Sequence, residues 1–143
     1  MPRFLGDDFQ LPELEPLNTP FYTAGTLQMQ CCRVCGATQH PPDDVCYACQ
    51  STDLEFRQMS GEGRIESFVV IHHPVSPKLK DKVPFAVALV SVVGAEGCNV
   101  MGNVLGARVE DLKIGQRVQV CFEKVTNSDT GEELQIPQWE LAE

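Results

Sequence analysis

The sequence predicts a mainly β protein in which a short helical segment and a cysteine ribbon precede a small five-stranded barrel. Two observations carry that expectation. Cys32-Arg33-Val34-Cys35 and Cys46-Tyr47-Ala48-Cys49 stand ten residues apart. From residue 64 onward, five strand-like runs succeed one another within some eighty residues, separated by turns containing Gly and Asp. That count suits a small closed barrel, and an OB-type barrel fits it. An SH3-like barrel or a sandwich fragment has the same pattern.

Two Cys-x-x-Cys knuckles at short separation bring four thiolates to the corners of one tetrahedron, the geometry of a structural Zn²⁺ site. Cys32, Cys35, Cys46 and Cys49 are the expected ligands. Gly36 follows the first knuckle, where a tight turn lets backbone N–H groups face the sulfurs. Pro41-Pro42 stiffens the connection. A closed four-thiolate site leaves no coordination position for a substrate or an activated water, so the metal holds the chain together. The competing readings are a pair of disulfides or a redox dithiol. Disulfides belong mainly to secreted chains, and the stretch Met1-Pro2-Arg3-Phe4-Leu5-Gly6-Asp7-Asp8 has no long apolar run of the kind a signal peptide needs. Seven cysteines, an odd number, suit a reduced compartment. No run approaches the roughly 18 apolar residues of a membrane span. The expectation is a soluble cytoplasmic protein without a membrane partner.

Along the chain, residues 1–17 are rich in Pro and acid without periodicity and read as an arm. Asn18 or Thr19 is the expected N-cap of a short helix with Pro20 in its first turn, carrying Phe21 and Tyr22 and ending near Gly25. Leu27 and Met29 alternate with Gln28 and Gln30 as a short strand leading into the ribbon. After the ribbon, Leu54 and Phe56 alternate with Glu55 and Arg57 before the turn Ser60-Gly61-Glu62-Gly63. The five barrel strands are Arg64–Ile71, Phe85–Val93, Asn99–Leu105, Arg117–Lys124 and about 133–141. In the fourth, Val118, Val120 and Phe122 share one face, and Gln119, Cys121 and Glu123 the other. Pro137 marks an edge or a bulge in the last. The segment Glu110–Gly115 suits a helical turn plugging the barrel end. The division is therefore 1–29 arm and helix, 30–56 ribbon, 57–143 barrel.

The formal charge is −9, and four thiolates on one Zn²⁺ add about −2. Such a chain is repelled by phosphate backbones, and nucleic-acid binders carry basic surfaces. The acids gather near the ends: Asp7, Asp8, Glu13 and Glu15, then Glu132, Glu133, Glu140 and Glu143. They read as solvated surface.

Several stretches in series resemble a known family. They are Thr19-Pro20-Phe21-Tyr22, Gly25 through Gly36, Pro41-Pro42 with the second knuckle, Ser60 through Ile65, Pro84 through Val90, and Leu112 through Val118. Together they span about residues 18–141. The chain is similar to small acyl-CoA-associated proteins that join a helical segment and a rubredoxin-like zinc ribbon to an OB-fold, long catalogued as a domain of unknown function. Two departures matter. A basic residue often precedes the first knuckle where Cys31 stands, and an aromatic residue often precedes the proline pair where His40 stands. Either side chain is an alternative ligand, but Cys32 keeps the two-residue spacing. The resemblance implies an accessory subunit of a thiolase-like enzyme (a lipid-transfer-type thiolase or aldolase) or of an acyl-CoA hydratase. The partner then supplies the catalytic groups, with a two-plus-two heterotetramer as the expected assembly and acyl-CoA as the ligand of the complex.

Catalysis by this chain itself would need a nucleophile beside a base. Cys31, Cys98 and Cys121 lack a local context that depresses a thiol pKa and read as structural thiols. His72 and His73, adjacent on a strand end, point to opposite faces and cannot chelate one metal as a pair. They read as one packed or capping imidazole and one solvated one, or one of them stands at the partner interface or near the acyl-CoA. Lys78, Lys80 and Lys82 place three of eleven Lys/Arg residues within five positions. They suit the CoA phosphates as point charges, an acidic partner surface, or a solvated loop tip. Phe21 and Tyr22 are ordinary core, or an apolar strip awaiting a partner if the arm swings out. The expected function is a non-catalytic zinc-binding subunit that shapes a partner's acyl-CoA site. The alternatives are a single-stranded nucleic-acid binder, which calls for a basic groove with stacking aromatics where this chain has 7% aromatics, and a stand-alone acyl-CoA-binding protein.

Overall fold

Thr19-Pro20 opens the helix as the proline at its first turn requires, and the computed structural model, which describes residues 4–6 and 9–142, gives α1 as Thr19–Thr23. Asp7, Asp8 and Glu143 lie outside the described residues. Asn18 stands at the N-cap but makes no cap hydrogen bond from its side chain. Its amide instead ties down the preceding arm, accepting from Glu15 N–H at 2.8 Å and donating to the Glu13 carbonyl at 3.0 Å. Gly25 ends the helix at φ +71°, a left-handed conformation that glycine adopts without a Cβ clash.

The ribbon is an antiparallel sheet of β1 (Gln28–Cys32), β2 (Thr38–Gln39) and β3 (Leu54–Gln58) in the order β2-β1-β3. The second sheet contains β4 (Glu62–Ile71), β5 (Phe85–Val92), β6 (Asn99–Asn103), β7 (Arg117–Thr126) and β8 (Glu133–Leu141). Its order is β6-β5-β4-β7-β8. The ends of this sheet meet: Val104 bridges Trp139 in parallel, and Leu105 N–H donates to the Trp139 carbonyl at 2.7 Å. An antiparallel sheet closed by one parallel contact is a partly open OB barrel, which settles the choice among small β architectures. Glu110–Gly115 supplies only a 3-10 turn over Val109–Asp111, with Leu112 buried behind it. Pro137 lies in β8, flanked by β7 through Phe122, in an outer strand where a missing N–H is tolerated.

Leu27 and Met29, one turn after the helix, do not stay in the ribbon's own interior. They join Phe21 in a core with Ile65, Ala88, Val90, Val100, Val118 and Trp139. Phe21 is therefore core, not an exposed strip, and Tyr22 packs against the same cluster. The Trp139 indole, fully buried, is admitted by two glycines. A Cβ on Gly63 would sit 2.4 Å from Val90 Cγ1, and one on Gly102 3.0 Å from Trp139 Cδ1.

The fourth barrel strand departs from its sequence reading. Cys121 and Glu123, assigned to a polar face, are 4% and 3% exposed. β7 pairs with β4 only through Glu62–Arg64, and the arm covers the strand beyond that pairing. The N–H groups of Phe4 and Leu5 donate to Glu123 Oε1, the latter at 3.1 Å, and Gln138 Nε2 donates to its Oε2 at 2.8 Å. Phe4 then packs edge-on against Phe85, centroids 4.8 Å apart. A buried carboxylate accepting three hydrogen bonds thus anchors the arm. Glu123→Ala removes the acceptor of the Phe4 and Leu5 N–H groups and leaves Gln138 Nε2 with Asn103 alone; it is expected to cost about 2–3 kcal/mol, with the arm cut early in limited proteolysis. Unchanged melting and protection would refute the anchor. Among the described residues no helix is long and apolar enough to cross a membrane.

Candidate metal centre

Cys32 closes β1, and the chain turns back at once: Gly36 N–H donates to the Cys32 carbonyl at 3.0 Å and Cys32 N–H to the Ala37 carbonyl at 2.9 Å. The second knuckle repeats the turn, with Gln50 N–H on the Cys46 carbonyl at 3.0 Å. Each ends in a left-handed residue, Gly36 at φ +78° and Gln50 at φ +63°. The equivalence of Gln50 to Gly36 has no signature in the sequence, since Gln rarely adopts that conformation.

The four sulfurs Cys32, Cys35, Cys46 and Cys49 lie within 4.8 Å of one another. Cys32–Cys49 is 3.7 Å and Cys35–Cys46 3.6 Å, against the roughly 3.8 Å edge of a tetrahedron with metal–sulfur bonds of about 2.3 Å. Backbone N–H groups of Val34 and Cys35 point at Cys32 Sγ, and that of Ala48 at Cys46 Sγ, each at 3.4 Å. Such donors stabilise thiolates. The Cys35 N–H, with smaller help from Val34 and Cys49, holds the Cys32 thiol down to about 6. Cys46 is lowered by the N–H of Cys49 in the same way. Cys49 is pushed up to about 12: the Ser51 N–H favours its thiolate, but desolvation and the other three sulfurs outweigh it. Four sulfurs this close repel as anions, so a cation is the natural complement of the cage.

Gln30 and Gln39, both 4% exposed, hold the second knuckle against the sheet, and sequence reasoning missed them. Gln30 donates to the Asp43 carbonyl at 2.8 Å and accepts from Asp43 N–H at 2.9 Å. Gln39 donates to Gln30 at 2.7 Å and to the Val45 carbonyl at 3.1 Å, and accepts from Tyr47 N–H at 2.9 Å. The alternation of Gln30 with Met29 and Cys31 on β1 imitates a solvent face, and Gln39 stands between the polar residues Thr38 and His40. Arg33 links the first knuckle to β3, reaching Asp53 and Glu55 at 2.9 Å each.

The other sequence candidates lie elsewhere. Cys31 sits against the Gly36 carbonyl at 3.6 Å, outside the cage. His40 stacks near Phe21, centroids 4.8 Å apart, with its pKa lowered by burial. Cys98 contacts Thr38 Oγ1 at 3.5 Å. Burial, then Glu140 and Glu123, pushes the Cys121 thiol up to about 11. His72 and His73 are both exposed, so of the packed-or-capping alternatives the packed one does not hold for either. They come just after the end of β4, where the chain has left the sheet. Lys78 and Lys80 are exposed, whereas Lys82 is half-buried with Nζ 5.2 Å from the Phe4 ring centroid. Among the described residues, no hydrogen bond joins a cysteine, serine or threonine to a histidine.

Residues 56–123 match the family described as "ChsH2, C-terminal OB-fold domain". A "DUF35 domain-containing scaffold protein" of Methanothermobacter thermautotrophicus is 34% identical over 95 residues, 66% of this chain and 69% of that one. A "Probable enoyl-CoA hydratase alpha subunit" of Thermomonospora curvata is 34% identical over 92 residues, 64% of this chain. The match spans only 28% of that subunit's length. Among solved structures, a chain titled "Ltp2-ChsH2(DUF35) aldolase" superposes with TM-score 0.76 at 28% identity, covering 93% of this chain and all of that one.

Proposed function

This chain belongs to the DUF35 family, and from that membership we propose that it is a non-catalytic, zinc-binding accessory subunit of a thiolase-like enzyme acting on acyl-CoA. The observation that carries the reading is the superposition along 93% of the chain on a protein titled as part of an aldolase complex. The chain's own chemistry agrees. Among the described residues no cysteine, serine or threonine is hydrogen-bonded to a histidine, and the buried Cys121 thiol is held protonated at neutral pH.

Cys32, Cys35, Cys46 and Cys49 hold Zn²⁺, which supplies a rigid cross-link between two knuckles and no reactive position. The barrel and ribbon form one packed body through Phe21, Leu27 and Met29, so a surface ordered by the metal is rigidly tied to the barrel. A rigid subunit of this kind orders a neighbouring active site and excludes water from it. The partner's residues carry out the C–C cleavage or acyl transfer, in a two-plus-two assembly in the cytoplasm. Lys78, Lys80 and Lys82 face anionic groups of the acyl-CoA or of the partner.

The test is gentle affinity purification from the native host, mass spectrometry of what co-purifies, and assay of the complex for acyl-CoA cleavage. A thiolase-like subunit whose activity falls by about a hundredfold when this chain is withheld is the expected result, the scale of a misplaced catalytic geometry. Recovery of the chain alone, or with nucleic acid, overturns the proposal.

A further inference from the structure

In an antiparallel barrel the outward positions are normally polar, because only the inward face is buried. The sheet β4–β5–β6 breaks that rule. Its inward positions on β5 are Ala86, Ala88, Val90 and Val92, leaving Phe85, Val87 and Leu89 outward. Strand register sets Ile71 opposite Phe85, Val69 opposite Val87, and Met101 opposite Leu89. Phe85 is covered by Phe4. The same face also carries Ser67, opposite Leu89, and Asn103, opposite Val87. Of its apolar members Val69 is 58% and Met101 65% exposed, and Ile71, Val87 and Leu89 are half-buried. Exposed apolar side chains grouped in this way mark an interaction surface.

The loop 72–84 leaves β4 beside Ile71 and returns at Phe85, so it borders the patch. It carries His72, His73, Lys78, Lys80 and Lys82 against Asp81 alone, in a chain of net charge −9. The loop joins two of the strands that carry these apolar side chains, so its lysines stand at that end of the face, Lys82 over Phe4 and Lys78 near the turn at residues 126–129. We propose that this face docks a partner protein whose own surface is apolar at the centre and rimmed by carboxylates opposite loop 72–84. This deepens the accessory-subunit reading and rests on it, naming the face the thiolase-like partner covers. A second copy of the chain is disfavoured, because an isologous pairing sets lysine loops near one another and two −9 chains together. The net charge likewise disfavours an anionic membrane.

The experiment titrates a purified lipid-transfer-type thiolase of the same host against the full chain, at low and high salt. Val69→Asp/Met101→Asp is expected to weaken binding by about a hundredfold with circular dichroism and melting unchanged. Lys78→Glu/Lys80→Glu is expected to slow association about tenfold and flatten its salt dependence. Ile114→Asp, at an exposed turn before β7, is expected to bind as wild type. Wild-type binding by the Val69/Met101 variant, or loss of binding in Ile114→Asp alone, overturns the face while leaving the accessory reading standing. So does a wild-type homodimer dissolved by the Val69/Met101 change, or adsorption of the chain to phosphatidylserine vesicles abolished by the lysine changes. A wild-type chain that binds no thiolase overturns the accessory reading, and this face with it.

Discussion

Stripping the metal with a chelator, or replacing Cys46 by Ser, is expected to lower the melting temperature by at least about 10 °C. The ribbon has little else to hold it. β2 is two residues long, and Leu27, just before β1, and Met29 within it serve the barrel's core. The second knuckle is attached by the Gln30–Gln39 network and by the cage. Without the cation, four sulfurs within 4.8 Å must protonate or move apart, and the knuckles lose their common anchor. Metal analysis of the intact protein is expected to find about one zinc per chain. Cys31→Ser should keep its metal, because that sulfur lies against the Gly36 carbonyl. A metal-free protein that melts as the native one does would refute the structural role of the site. Loss of metal in Cys31→Ser would refute the ligand set.

The barrel's closure makes the second large effect. Trp139 is fully buried, and its backbone carbonyl makes the contact that joins β8 to the chain after β6. Trp139→Ala is expected to cost about 3–5 kcal/mol, the range for emptying an aromatic site in a core. Its indole Nε1 is buried without a hydrogen-bond partner, which makes the aromatic body, not the N–H, the stabilising part. Trp139→Phe is therefore expected to cost under about 1.5 kcal/mol, since relief of an unpaired donor offsets part of the lost volume. Gly63→Ala drives a Cβ to 2.4 Å from Val90 Cγ1 and 2.9 Å from the Ser91 carbonyl. The backbone must shift there, at a cost of about 1–3 kcal/mol or more. Denaturant titration of the three variants checks the order. A Phe variant as unstable as the Ala variant would assign the N–H a partner.

Local features were legible where local physics controls them. The knuckle spacing names its four cysteines because chelation by Cys-x-x-Cys is a short-range property. Thr19-Pro20 and Gly25 bracket the helix for the same reason, since Pro fixes φ at the start and Gly tolerates the reversed φ at the end. Strand positions come from alternation, with ends misjudged by a few residues: β4 starts at Glu62 and β7 runs to Thr126. Alternation cannot say which segment covers each face. Cys121 and Glu123 read as polar because their neighbours were, yet both are buried, Glu123 under an arm more than a hundred residues away in sequence. Gln30 read as the polar side of a strand for the same reason, yet it is 4% exposed.

By itself, then, the sequence determined the cysteine cage, the turns that shape it, the mainly β texture and the acidic balance that weighs against nucleic acid. Each rests on residue type and short spacing. Tertiary structure alone decided that β6 and β8 close the barrel in parallel and that the helix and ribbon base complete the barrel's core. It also decided that the arm is pinned by Glu123, and that an apolar face lies beside the lysine loop. Those depend on pairings between distant segments, where register and burial are fixed only once the whole chain has packed.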